Sequence, residues 1–375
     1  MLDFGKSTYT NKVYPYDIWM ESIGIPIHRG YFVEDLRTVE LGWWDERRCM
    51  AAFIQLMGQE GVSEARVTEI PPGETLPAWR FALDEVVYVL EGRGLTNVTA
   101  PDGQARKTFE WQKHSMFLIP QHTSRQFSNM QGDRPVWLLH YSYLPMALSI
   151  IQDPDFFFSS SYTSWNGLAG LEGEFYSEAR IAPEFGFMDM KGTRRNVWYG
   201  NFFPDMRAWD KLEALGFRGA GGRSVQIQFP RSQMSCHMSV FPARTYKKAH
   251  RHGPGRVIVI PAGEGYSVMW QEGQEKVVVP WREASVFVPP EKWFHQHFNV
   301  GATPARYLAL HPLKQFYGHA EKVEDRAKDQ IEYPDEEPWI RARFEDELAR
   351  RNITSLMPQE AYRDRDFEFA LAAVV

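Results

Sequence analysis

The segment HRHGPGRVIVIPAGEG, residues 250–265, carries the pattern that is most informative about the fold. Two histidines stand one residue apart, a Gly-Pro-Gly turn follows them, and the chain then enters a hydrophobic strand. Side chains two apart on a strand face the same way, so His250 and His252 can bind one metal ion together. A single His-x-His motif is most often structural. The segment PPEKWFHQHFN, however, supplies a second such motif, His295 and His297. Two such pairs in one β-rich segment favour a metal site.

The same pattern of short β-strands and turns occurs twice in the chain. From about residue 51 to 144, short apolar or alternating runs such as ARVTEI, DEVVYVLEGRG and VWLLHYSYL are separated by turn residues. The pattern occurs again from about residue 223 to 312, in VQIQF, SCHMSVFPA, EKVVVPW and RYLALHP. Short strands with regular turn signals are typical of antiparallel β-structure, and their recurrence indicates an internal repeat.

These patterns predict five segments. Residues 1–50 form an N-terminal arm, 51–150 a first barrel, 151–215 a linker packed on the barrels, 216–315 a second barrel, and 316–375 a charged tail. In the tail, PDEEPWIRARFEDELARRN has the acids and arginines of a short helix, with Asp335 as its predicted N-cap. We expect that helix to be exposed or to bridge subunits.

Composition limits the kind of protein. The 375 residues are 43% hydrophobic and 14% aromatic, enough for two well-packed cores. A net charge of -6 argues against nucleic acid and anionic membranes as partners. Cys49 and Cys236 are too far apart to form a disulfide framework, and we find neither a signal peptide nor a membrane span. We therefore expect a soluble cytoplasmic protein that acts on a small molecule.

At this point the sequence resembles the cupin superfamily, whose motifs run Gly-x5-His-x-His-x3–4-Glu-x6-Gly and Gly-x5-Pro-x-Gly-x2-His-x3-Asn. The matching residues are His250, His252 and Gly263 in the first motif, and Pro290, His295 and Asn299 in the second. Arg244, Ala284 and Lys292 replace family glycines, and Arg256 replaces the glutamate. The resemblance implies an all-β bicupin of two tandem double-stranded β-helix (jelly-roll) barrels. It also implies the metal ligands His250, His252 and His295.

The first repeat fits the same template as a scaffold only. Gly73, Glu85 and Gly92 are in register, but Trp79 and Phe81 stand where the first two histidines belong. Its second motif keeps Pro120 and Asn129 and has Arg125 in place of the third histidine. Trp, Phe and Arg side chains do not bind transition metals, so we expect the first barrel to be metal-free.

Without the family's glutamate, a neutral three-histidine site remains, similar to those of gentisate and salicylate dioxygenases. That resemblance implies an Fe(II) dioxygenase, an oxidoreductase that uses O₂ to cleave a small oxygenated carboxylate, aromatic compounds included. One alternative is a redox-neutral lyase, decarboxylase or isomerase that uses Mn, Ni or Zn. Another is a small-molecule-binding bicupin without catalysis. Both enzyme hypotheses predict one divalent metal per chain, and the binding protein predicts a retained ligand pocket. We also expect a homo-oligomer, a dimer or larger.

Two further residues are candidates for the catalytic site. Arg256 can clamp a substrate carboxylate if it faces the histidines, which strand parity leaves open beyond the Gly-Pro-Gly turn. His297 shares a face with His295; it can line the active site, and it can replace His295 as the third ligand. Lys247 and Lys248 are most simply a solvated strand end.

Overall fold

In the computed structural model, residues 13–159, 161–162, 175–188, 194–208, 212–214, 216–318 and 327–369 are described. The strands are β1 Ile27–Gly30, β2 Phe32–Val33, β3 Gly42–Trp44, β4 Cys49–Leu56, β5 Glu64–Ile70, β6 Trp79–Arg80, β7 Glu85–Glu91, β8 Arg93–Thr99, β9 Arg106–Gln112, β10 Met116–Ile119, β11 Ser124–Asn129, β12 Val136–Ser142, β13 Arg180–Ile181, β14 Phe187–Met188, β15 Arg194–Arg195, β16 Val197–Tyr199, β17 Phe202–Phe203, β18 Glu213–Ala214, β19 Arg223–Gln228, β20 Ser235–Phe241, β21 Ala249–His250, β22 Val257–Ala262, β23 Gly265–Trp270, β24 Val277–Trp281, β25 Val286–Phe287, β26 Phe294–Asn299, β27 Ala305–His311 and β28 Gln330–Ile331. The α-helices are α1 Pro15–Ser22, α2 Leu144–Ile150, α3 Pro154–Phe158 and α4 Pro338–Ala349, and short 3-10 turns include Gly216–Arg218 and Tyr333–Asp335.

The chain divides into two compact units. Unit 1 comprises residues 1–179, 200–205 and 229–234, and unit 2 comprises 180–199, 206–228 and 235–375. Parts of the segment predicted as linker therefore belong to unit 2, while strands of the segment predicted as an arm join a sheet of unit 1, where β1 pairs with β4. The segment boundaries read from the sequence stay a prediction.

Unit 1 encloses an apolar core between two mostly antiparallel sheets. One sheet has the order β1-β4-β5-β12-β7-β10-β17 and the other β6-β11-β8-β9. Both sheets supply buried side chains to one cluster, for example Phe53 and Val87 from the first and Phe109 and Phe127 from the second. Alternating burial along β8 and β11 keeps one face of the smaller sheet on this core.

Unit 2 repeats this plan with a different interior. Its sheets have the orders β13-β16-β19-β20-β27-β22-β25 and β24-β23-β26-β21-β28. Aromatic residues of the five-stranded sheet, such as Tyr266 and Phe298, lie on its outer face and pack against α4. Because side chains alternate along β26, His295 and His297 point to the opposite face, into the barrel.

The duplication extends to the positions where cupins have glycine. Arg244, Ala284 and Lys292 all have positive φ, at 55°, 67° and 59°, as do His114 and His122 at 70° and 59° in the first repeat. Positive φ is unusual for residues other than glycine, so the turns of the template are kept even where the glycines are not.

The turn after each second motif is closed in the same way in both units. The Asn129 amide donates to the carbonyls of Ile70, Pro71 and Arg134. The Asn299 amide donates to the carbonyls of Phe241, Pro242 and Thr303. Together with the sheet orders, this equivalence confirms the predicted fold class, two tandem cupin-type barrels followed by a helical tail.

One detail of the tail prediction was wrong. Helix α4 is capped by Glu337 without a side-chain hydrogen bond, and Asp335 lies in the preceding 3-10 turn. The helix also packs on the outer face of the five-stranded sheet through Ile340, Phe344 and Leu348, which are all buried. Its apolar side had been obscured in the sequence by the many charged residues between these three positions.

Candidate metal centre

The two histidine pairs enter the interior of unit 2 from adjacent strands. His250 ends β21 and lies directly opposite His295 of β26 in an antiparallel pairing. His252 follows two residues later, on the loop before the Gly-Pro-Gly turn, and is 1% exposed. Side chains from two paired strands and the loop that follows β21 therefore bring three imidazoles together inside one barrel.

His250, His252 and His295 form the cluster that can hold a metal. One nitrogen from each lies within 4.8 Å of the others. The ring centres are 4.2 Å apart for His250 and His295, and 4.6 Å apart for His252 and His295. Three imidazole nitrogens converging from buried side chains match the donor set of a mononuclear transition-metal site with open positions for further ligands.

The hydrogen bonds of the cluster fit coordination. His252 donates Nδ1–H to the Gly253 carbonyl at 2.8 Å, and His295 donates Nδ1–H to the Trp293 carbonyl at 3.2 Å. Each bond fixes the tautomer in which Nε2 carries the lone pair, a common arrangement behind metal-binding histidines. Nε2 of His295 and Nδ1 of His250 are buried and have no hydrogen-bond partner in the described part of the chain. A bound cation would offset the cost of burying these polar atoms.

The same histidines are in the protonation state that a metal requires. Burial lowers the pKa of His295 to about 3, and nearby Arg256 and Arg218 contribute in the same direction. Burial also places the pKa of His250 well below its usual range, with Arg218 and the neighbouring histidines adding to the effect. Both imidazoles are therefore neutral at pH 7 and can donate a lone pair.

His297 lies beside this cluster and outside it. Its ring centre is 5.6 Å from that of His295 and 6.3 Å from that of His250. Its Nδ1 is hydrogen-bonded to the Ser267 hydroxyl at 2.8 Å, and that oxygen also accepts from the Trp281 indole at 3.0 Å. Burial lowers the pKa of His297 well below its usual range, so this imidazole too is neutral. The geometry groups His295, rather than His297, with the first pair.

Two arginines bring positive charge to the cluster. Arg256, at the position of the family's glutamate, is 7% exposed, and its charge lowers the pKa of His295 and of His237. Its guanidinium lies 5.6 Å from the centre of the Tyr317 ring, and its orientation toward the three histidines stays a prediction. Arg218, which the sequence reading did not single out, donates to the Gln330 amide oxygen at 3.0 Å. Burial lowers the pKa of Arg218 to about 10, so it keeps its charge at pH 7.

The reading of Lys247 and Lys248 as a solvated strand end was wrong. Lys247 is fully buried and donates to the Ser239 hydroxyl at 2.5 Å and to the Tyr307 hydroxyl at 3.2 Å. Lys248 is 7% exposed and forms an ion pair with Glu332. The Tyr307 ring in turn packs against that of His297 at a tilt of 48°, with ring centres 5.0 Å apart. No local pattern reveals this burial, because β21 is too short to display an alternation.

Unit 1 has a buried ion network at the equivalent position. Arg125, in place of the third histidine, donates to Glu85 at 3.1 Å, and its guanidinium lies 5.0 Å from the Trp79 ring and 5.4 Å from the Phe81 ring. Arg66 donates to the same carboxylate at 2.6 Å. Burial by itself raises the pKa of Glu85, but the surrounding basic groups hold it far below its usual range. Ion pairs and aromatic rings thus occupy the place of the template's ligands.

Comparison with known proteins identifies the fold alone. No protein-family model matches the sequence, and no curated protein matches it. Among solved structures, a deletion mutant of Bacillus subtilis oxalate decarboxylase is 11% identical, with a TM-score of 0.47 and 77% of each chain covered. A structure of the same enzyme studied for its Mn(II) centres is 10% identical, with a TM-score of 0.48 and 79% of each chain covered. Similarity at this level does not establish an activity.

Within the described residues, no helix is both long and apolar enough to cross a membrane.

Proposed function

We propose that this chain is a mononuclear metal-dependent enzyme that cleaves a carbon–carbon bond of a small carboxylate substrate. The observation that carries the proposal is the convergence of three buried histidines beside buried cations. No carboxylate joins the three-histidine cluster in the described ranges. A divalent cation held by His250, His252 and His295 would therefore keep its full charge and attract an anionic substrate.

The protein's own cations support an anionic substrate. Arg256 replaces the acidic ligand of the cupin template with a guanidinium, the group best suited to a two-point contact with a carboxylate. Arg218 and Lys247 add charge to the same interior, and the pKa of each is lowered by burial. A substrate carboxylate would be attracted to this concentration of buried positive charge.

The redox-neutral class, decarboxylation or a related lyase reaction, is favoured by a proton source. Loss of CO₂ from a carboxylate leaves a carbanion that must receive a proton. Lys247, hydrogen-bonded to Tyr307, is a buried donor whose partner lies against His297. These residues can hold a proton near the site and shield it from water. A bound divalent metal would supply Lewis-acid activation of the substrate carboxylate.

An O₂-dependent reaction with Fe(II) is the second candidate. It is supported by the three-histidine donor set, which leaves coordination positions for both substrate and oxygen. In that case Arg256 binds the carboxylate and His297 lines the oxygen-binding side, positioned by Ser267. This is the activity implied by the likeness of the motifs to ring-cleaving cupins.

One pair of assays separates these classes. Protein loaded with Fe(II) or with Mn(II) is incubated with small dicarboxylates and hydroxybenzoates, in air and without oxygen. CO₂ release that persists without oxygen supports the redox-neutral class, whereas stoichiometric oxygen uptake supports the dioxygenase. Saturable binding of a carboxylate without turnover under any condition would indicate the non-catalytic alternative and contradict the proposal.

Arg256 is tested in the same assays. Arg256→Gln removes the charge and the two-point contact, and we expect KM for the active carboxylate to rise about 10- to 100-fold. Arg256→Lys keeps the charge without the fork and should recover only part of the loss. An unchanged KM in both variants would remove Arg256 from the substrate site.

A further inference from the structure

A second pocket lies on the outer face of the five-stranded sheet of unit 2, on the side opposite the histidines. It has a volume of about 180 Å³ and lies between β23, β26 and the start of α4. Its walls include Trp270, Phe294 and Ile340, and its polar lining includes Gln296 and Glu336. Gln296 stands between His295 and His297 in sequence, so strand alternation sends it to this outer face.

Glu336 has no cationic partner in this pocket. Its two carboxylate oxygens accept hydrogen bonds from the Tyr246 hydroxyl at 2.8 Å and from the Gln296 amide at 2.5 Å. No ion pair involves it in the described part of the chain, and Lys248, a cation whose charge reaches it, is paired with Glu332. Neutral hydrogen-bond donors hold the carboxylate in place without balancing its charge.

The other acids that line the pocket each have a basic partner. Glu272 pairs with Arg251 at 3.3 Å, Glu337 with Lys276 at 2.7 Å, and Asp335 with Arg365 at 2.5 Å. Among the described residues, Glu336 is therefore the one acid of the pocket lining that has no basic partner.

A second, independent acceptor points to the same kind of ligand. Gln296 is fully buried and lines the pocket, and its Oε1 has no hydrogen-bond partner among the described residues. An amide oxygen buried in this way is costly unless a donor reaches it. The missing group must therefore bring N–H donors as well as positive charge.

We propose that this pocket binds the primary ammonium group of a small organic amine. The ammonium would donate to Glu336 and to Oε1 of Gln296, and its alkyl part would lie against Trp270 and Phe294. Aromatic faces attract cations, as Arg251 over Phe294 at 4.6 Å already illustrates. A quaternary ammonium has no N–H donors and would leave Gln296 unsatisfied. The site is separate from the metal centre and does not depend on the proposed function.

The ionisation of Glu336 gives an additional signature. Burial raises the pKa of Glu336 to about 8, against the lowering effect of its hydrogen bonds from Tyr246 and Gln296. Much of this carboxyl is then protonated at pH 7, and an ammonium bound against it favours the ionised form. Binding at pH 7 should therefore release a fraction of a proton, and this release should vanish above pH 9.

The experiment is calorimetric titration of the full chain with butylammonium chloride at pH 7 and pH 9. Glu336→Gln is nearly isosteric and should weaken binding at least about tenfold. Gln296→Met keeps the carboxylate, removes the amide acceptor and should also weaken binding. Glu345→Gln is the matched control, because it removes an exposed acid of α4 that does not line the pocket and should leave affinity within about twofold.

Binding that is lost in Glu336→Gln and Gln296→Met, kept in Glu345→Gln and accompanied by proton release at pH 7 would support the amine site. The absence of saturable binding to the parent protein would overturn it. Equal affinity for butanol or tetramethylammonium would also overturn it, by showing an apolar or a purely electrostatic pocket. Unchanged metal content in each variant keeps this result separate from the metal centre.

Discussion

The buried ion network of unit 1 gives the sharpest test of how the two barrels differ. We consider the substitution Glu85→Gln. The Glu85 side chain is fully buried and is bonded to Arg66 at 2.6 Å and to Arg125 at 3.1 Å. Removing one member of a buried ion pair typically costs about 3–5 kcal/mol, because the remaining charge stays buried without compensation. Here that charge is on Arg125, since Arg66 keeps an ion pair with Glu64 at 2.5 Å. We expect a loss of that size in the free energy of unfolding.

Urea unfolding measures this loss. With a slope of about 2 kcal/mol per molar urea, a loss of about 3–5 kcal/mol moves the midpoint of unit 1 by roughly 1.5–2.5 M. The matched control is Glu21→Gln, which removes an exposed partner of Arg29 within unit 1 and should cost less than about 1 kcal/mol. The measurement requires a probe confined to unit 1, since the two units can unfold separately.

The pH dependence supplies an internal check. Glu85 has a folded-state pKa far below the unfolded value, so the stability it contributes is present above the unfolded pKa and is lost as the pH falls toward the folded pKa. The difference between parent and Glu85→Gln should therefore be largest near neutral pH and shrink below about pH 4. A loss under about 1 kcal/mol, or one that does not change with pH, would refute the idea that this network stabilises the barrel.

Three further predictions concern unit 2. His295→Ala removes one of three ligands and should weaken divalent metal binding by about 100-fold or more. His297→Ala should change metal affinity by about tenfold or less. Equal losses of metal affinity in a competition assay with a chelator would contradict the ligand assignment. The folded-state pKa of His295 is about 3, below its unfolded value near 6.5, so the metal-free protein should lose up to about 1.4 kcal/mol per pH unit for this histidine as the pH falls from 6.5 toward 3. Thermal unfolding at pH 7 and pH 5 measures this dependence, which His295→Ala should reduce. Finally, Lys247 lowers the pKa of Tyr307 against the raising effect of burial, so Lys247→Met should raise that pKa, and an ultraviolet phenolate titration that shows no upward shift would count against the pair.

The fold and the position of the candidate centre were predictable because they rest on local spacing. Two histidine pairs on short strands, and turns at fixed intervals around them, report strand alternation directly. The turns persist even where Arg244 and Lys292 replace glycine, since the surrounding pairing imposes positive φ on whatever residue is present. A template of spacings therefore survives the loss of its most characteristic residue.

The surroundings of the centre were less predictable because they depend on contacts between distant segments. Lys247 reads as a surface residue until β20 and β27 place Ser239 and Tyr307 against it. Arg218 lies far from the motifs in sequence and reaches the site only through tertiary packing. The choice between His295 and His297 could not be made from parity, because both lie on one face of β26. It required the register that sets His295 opposite His250.

The measurement that tests the central claim most directly is the metal content of protein purified without added metal, compared with that of the His250→Ala, His252→Ala double variant. The three-histidine centre predicts about one divalent transition metal per chain in the parent and none in the variant, with both proteins folded. Metal absent from both, or present in equal amounts in both, would contradict a metal site at these histidines and, with it, the proposed enzyme.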